Sequence, residues 1–79
     1  MTSQLRNALE RIKNTTAGQH HGKLNHECDE NFARECFEEL RAQNVSFSSA
    51  EIYEWAIANG WKADDAMDLA KIAEDVLLS

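Results

Sequence analysis

Apolar residues return at three- and four-residue steps in four separate stretches of the chain, and each stripe predicts an amphipathic helix rather than a strand. In the first, Leu5, Ala8, Leu9 and Ile12 fall at i, i+3, i+4 and i+7 and predict a helix over residues 3–13. Ser3 is the expected N-cap, with Arg6 at N3 giving it no capping-box partner. Alone, a helix of about eleven residues is marginal in water. It therefore has to lay Leu5, Leu9 and Ile12 on the rest of the protein, and it is the element most prone to fray. The second stripe, Cys28, Phe32, Ala33, Cys36, Phe37 and Leu40, is the strongest. It predicts a helix over 26–43, capped by Asn25, as the spine on which the others pack. On its outer face Glu30 with Arg34 and Glu38 with Arg41 stand at helical ion-pair spacing.

The C-terminal half is marked by local chemistry as well as by period. Val45 and Phe47 flank Ser46 in a short link and are expected to plug one end of the bundle. In Phe47-Ser48-Ser49-Ala50-Glu51-Ile52, Ser48 is the N-cap of a helix over 49–59. Its hydroxyl is placed to accept the Glu51 N–H while the Glu51 carboxylate reaches back to the Ser48 N–H, with Phe47 and Ile52 as a hydrophobic staple. Asn59-Gly60 ends the helix, because glycine takes the left-handed conformation without a Cβ penalty. Gly60 then stands at C′, Trp61 at C″ and Ala56 at C3, the arrangement of a Schellman motif.

A last helix over 63–78 follows at once. It is expected to bury Ala66, Leu69, Ala70, Ala73, Val76 and Leu77, with Met67 and Ile72 at the margins. The small alanines leave room for Trp55 or Trp61, and truncating a buried Trp55 would cost about 3–5 kcal/mol. The expected third-helix core is Ile52, Trp55 and Ala56, joined by Tyr53 or Ile57.

Between the first two stripes, residues 14–25 hold Gly18 and Gly22 and only Leu24 as a strong apolar residue, so a long loop is expected there. Seventy-nine residues without proline suit one domain spanning residues 1–79. The fold class is all-α: a small four-helix bundle or an orthogonal helical domain.

Charge narrows the choice of partner. Residues 1–23 carry Arg6, Arg11, Lys13 and Lys23 against Glu10, or +3, while residues 24–79 carry thirteen acids against four bases, or −9, for the net −6. Such an acidic body repels nucleic-acid phosphates and anionic lipid. The basic start can lie over that body or meet another acidic protein. Two cysteines make no disulfide framework. No apolar run reaches membrane-span length and no secretory h-region follows Met1. A cytoplasmic location is the expectation.

Candidate chemistry is sparse. His20, His21, His26 and Cys28 are of the residue types that hold zinc. Their spacing is poor, however, since adjacent histidines rarely turn to one ion and Cys28 belongs to the apolar stripe. Cys36 is about 12 Å of helix away from Cys28 and cannot complete the set. A nucleophile pairing Cys28 with His21 or His26 lacks an orienting third group. Asp64, Asp65 and Asp68 gather where helix electrostatics favour acids and lack the ligand spacing of a calcium loop. The last two helices resemble in outline a DNA-reading pair, but the would-be recognition helix starts with acids where phosphate contacts are needed. Tyr53, Trp55 and Trp61 are more aromatic surface than a small core readily absorbs, and any left outside would suit a protein partner or a homodimer.

The segment from Ala50 through Trp55-Ala56-Ile57-Ala58-Asn59-Gly60-Trp61, followed by a short alanine-rich helix, resembles the YoaC-like group of small all-helical enterobacterial proteins of unknown function. That resemblance implies a cytoplasmic helical protein and carries no catalytic residue with it. The function expected is therefore protein–protein interaction or regulation, with no catalytic activity and no cofactor, through Tyr53, Trp55, Trp61, Asp64, Asp65 and Asp68. The alternatives are a metal-binding module built on the histidine cluster and an atypical helix-turn-helix protein associated with nucleic acid.

Overall fold

A computed structural model describes the backbone of residues 1–15 and 27–79 and the side chains of residues 1–14 and 30–79. Among these residues it contains helices α1 (Ser3–Thr15), α2 (Glu27–Ala42), α3 (Ser49–Ala58) and α4 (Ala63–Leu78), and no strand. This is the small all-α bundle the stripes predict. One boundary shifts appreciably: α1 runs on through Asn14 and Thr15, which the expected loop had claimed. Its last turn is held by Lys13, whose ammonium donates to Asn59 Oδ1 at 3.1 Å. The remainder of that loop lies outside the described residues.

Thr2, not Ser3, caps α1: its Oγ1 accepts the Leu5 N–H at 3.2 Å and its carbonyl accepts the Arg6 N–H at 3.0 Å. Leu5, Leu9 and Ile12 are fully buried, so the narrow stripe does what a short helix requires. On α2, Ala33, Cys36, Phe37 and Leu40 are buried and Phe32 is half-buried against them. Phe37 stacks on Phe47 with ring centroids 5.6 Å apart, which makes Phe47 the plug expected of it. Val45 is half-buried on the same core.

The ion pairs expected along α2, Glu30 with Arg34 and Glu38 with Arg41, do not form among the described residues, and of the two arginines Arg41 turns to another helix. Arg11 of α1 sits over the Phe32 ring and 3.9 Å from Glu39. Arg41 turns to the last turn of α4, where Nη1 donates to the Val76 carbonyl at 2.6 Å and to Ser79 Oγ at 2.8 Å. A cation there adds to the bonds that the Ser79 hydroxyl and N–H make to the same Val76 carbonyl and opposes the negative end of the helix dipole.

Two helices end in the same device. At the end of α3, Gly60 has φ +88°, the Trp61 N–H donates to the Ala56 carbonyl at 3.0 Å and the Gly60 N–H to Ile57 at 3.1 Å. These are the two bonds of the Schellman motif predicted from Asn59-Gly60-Trp61. At the end of α2 the left-handed residue is Asn44, at φ 60°, with Val45 N–H to Leu40 and Asn44 N–H to Arg41, both at 3.0 Å. Asparagine is one of the few L-residues that tolerate this backbone. The start of α3 keeps half of its expected capping box. Ser48 Oγ accepts the Glu51 N–H at 3.3 Å, but Glu51 Oε2 turns to the Ser48 hydroxyl at 3.4 Å instead of the backbone N–H.

The layering differs from a single spine. α1 lies on α2, α2 on α4 and α4 on α3, so α2 and α4 share the centre and α3 docks chiefly on α4. With neighbours on two sides, α4 buries a wider arc than one stripe suggests. Ile72 is inside, while Leu77 is exposed on the last turn beside Leu78. On α3 only Ile52 and Ala56 are buried. Trp55 and Tyr53 are half-buried and Ile57 is exposed. The indole that fills the core is Trp61, 5% exposed, and Trp55 meets it edge-on at 6.0 Å.

Candidate functional site

The α3–α4 hairpin leaves a groove of about 690 Å³ along its outer side. Its position follows from helical spacing. Ala50, Tyr53 and Glu54 are i, i+3 and i+4 on α3, while Asp64, Met67, Asp68, Lys71 and Glu74 step along one face of α4. The apolar part of the lining is Ala50, Tyr53, Met67 and Ala70. Met67 is 62% exposed in the middle of a helix, which is a large apolar side chain presented to solvent. The charged part is Glu54, Asp64, Asp68 and Glu74 against Lys71. The groove is therefore apolar within and strongly negative around, at a volume within the usual range of binding clefts, roughly 300–1,000 Å³.

A second cleft, of about 180 Å³, lies between α1 and α2 and is bridged by Arg11 and Glu39. Cys36 lines it. Burial pushes that thiol above its ordinary value of 9.0, helped by Glu39 and Glu35 and opposed by Arg11. This is the reverse of what a nucleophile needs, because the thiolate is the reactive form. Among the described residues no three His, Cys, Asp or Glu side chains are grouped to hold a metal ion. His20, His21, His26 and the side chain of Cys28 lie outside those residues. No helix among them is long and apolar enough to cross a membrane.

Of the residues singled out from sequence, the fold gathers Tyr53, Asp64 and Asp68 into the groove. Trp61 goes to the core, Trp55 stays half-buried against it, and Asp65 is half-buried outside the lining. Met67, Lys71, Glu54 and Glu74 are groove residues that sequence reasoning passed over. The signal for the three on α4 was the run of positions 64, 67, 68, 71 and 74, which shares one helical face. It became readable only once the partner helix was known.

No curated protein and no solved structure matches the chain significantly. The family model for a domain of unknown function, DUF1889, matches residues 1–78, and the chain belongs to that family.

Proposed function

We propose that this chain is a non-catalytic, cytoplasmic docking domain that binds another protein through the α3–α4 groove. The observation that carries the reading is Met67. A side chain of that size, 62% exposed beside Tyr53 and ringed by carboxylates, leaves apolar area in water that the isolated domain does not bury. It gains once a partner covers it. The carboxylates weigh against nucleic acid and anionic membranes as the covering surface, since either would bring like charge to the rim. The buried, raised-pKa Cys36 supports a role without nucleophilic chemistry.

The test is a photoreactive residue placed at position 67 in living cells, with a second at exposed Arg34 on α2 as the control. A discrete protein adduct from position 67 and not from position 34 is the expected result. No adduct at 67, or the same adducts from both positions, overturns the reading.

A further inference from the structure

Resting on the docking reading above, we infer that the groove takes a cationic amphipathic helix of a partner protein, seated with its apolar face on Met67 and Tyr53 and its Lys or Arg side chains on the acidic rim. Charge complementarity fixes the sign. Four carboxylates, Glu54, Asp64, Asp68 and Glu74, face Lys71 alone, so the occupant must be basic. Geometry fixes the form. The α4 wall runs ten helical steps from Asp64 to Glu74, about 15 Å at helical rise, and a trough of that length between two helices is filled by about three turns of a third. The apolar lining requires anchors recurring at i, i+3 or i+4 and i+7 on the occupant.

A second copy of the chain fits poorly. Its basic element is α1, whose apolar residues Leu5, Leu9 and Ile12 are fully buried in its own core, and exposed Met1 before it is a single anchor whose ammonium already lies 3.9 Å from Glu51. Its exposed Ile57, Leu77 and Leu78 stand beside Glu54, Glu74 and Asp75, which repel the rim. Two bodies of net charge −6 also repel each other at long range. The occupant is therefore a different protein.

The probe is a synthetic helix of about fifteen residues with leucines on one face and lysines elsewhere. It is compared with its glutamate counterpart and with a lysine peptide whose leucines are scattered around the helix. Methyl NMR of the full chain should show saturable shifts at Met67, Ala50 and Ala70 with the first peptide alone, and none at Ile57 or Leu78. Met67→Ser, and Asp64→Asn with Asp68→Asn, should each weaken binding by about tenfold. Both lie on the surface, and each variant is accepted only if its thermal melting matches the parent. Equal binding of the glutamate peptide, equal binding of the scattered-leucine peptide, shifts centred on Ile57 or Leu78, or no shift overturns the inference. An adduct at position 67 in cells together with a groove that ignores the lysine helix would keep the docking reading and remove only the cationic helix. A lysine helix that binds while no adduct forms would keep the groove's chemistry and remove the docking role.

Discussion

Replacing Gly60 by alanine isolates the cost of a single backbone conformation. Gly60 holds φ +88° between α3 and α4. A Cβ built there meets nothing within 4 Å, so no steric term enters. What remains is the left-handed penalty of an L-residue, about 1–2 kcal/mol, partly offset because alanine narrows the unfolded ensemble. The net loss expected is about 1 kcal/mol, or about 4–8 °C in Tm for a domain of this size. Asn44, at φ 60° in the matching motif, gives the opposite sign: Asn44→Gly should gain about 0.5 kcal/mol. The two sites share no partner, so the double variant should show the sum. Urea titration followed by tryptophan emission reads both, with buried Trp61 as reporter and far-UV circular dichroism as the second probe. The m-value should stay constant. A Gly60→Ala variant as stable as the parent, or an Asn44→Gly variant less stable than it, refutes the assignment of these residues as helix-ending left-handed positions.

Other consequences can be measured on the same variants' footing. Trp61→Ala should cost about 3–5 kcal/mol by urea titration, and Trp55→Ala clearly less, because only the former indole is fully enclosed. Arg41→Met keeps the stem but removes the donors to Val76 and Ser79. A loss of about 1 kcal/mol, smaller at high salt, is expected, with amide exchange rising first in the last turn of α4. Cys36 is protonated in the fold above the pH at which an unfolded thiol ionises. Stability attributable to it is thus complete below about pH 9 and falls as pH rises beyond that. Cys36→Ala should flatten this alkaline decline in pH-dependent melting.

The parts of the fold that could be read from sequence are those decided within five or six residues. Ser48 and Asn59-Gly60-Trp61 announce a start and a stop because the bonds they make are to their own backbone. The Leu5–Leu9–Ile12 stripe is legible because one face of a short helix has one destination. What could not be read depends on which helix lies beside which. Ile72 is inside because α4 has α2 on one flank and α3 on the other, and no property of Ile72 itself distinguishes it from Leu77. Glu38 loses Arg41 for the same reason, since the end of a neighbouring helix offers the Val76 carbonyl and the Ser79 hydroxyl, which the sequence of α2 does not mention. The groove is the furthest from legibility. Tyr53, Asp64 and Asp68 are conspicuous by type, but Met67 looks like a marginal core residue until α3 is placed next to it.

The adjacency α1–α2–α4–α3 divides the molecule into two hairpins that meet along one seam. Within each hairpin the contacting helices are consecutive in the chain, and the main contact between the hairpins, α2 against α4, skips an element. Mostly local pairing of this kind favours rapid folding. It also makes the seam the plane along which the protein comes apart. Lys13 on Asn59 and Arg41 on Val76 cross between the hairpins as two latches, joining positions 46 and 35 residues apart. Breaking both would lower the free energy of partial opening without dismantling either hairpin, and native-state hydrogen exchange would then resolve two cooperative blocks where the intact chain unfolds as one.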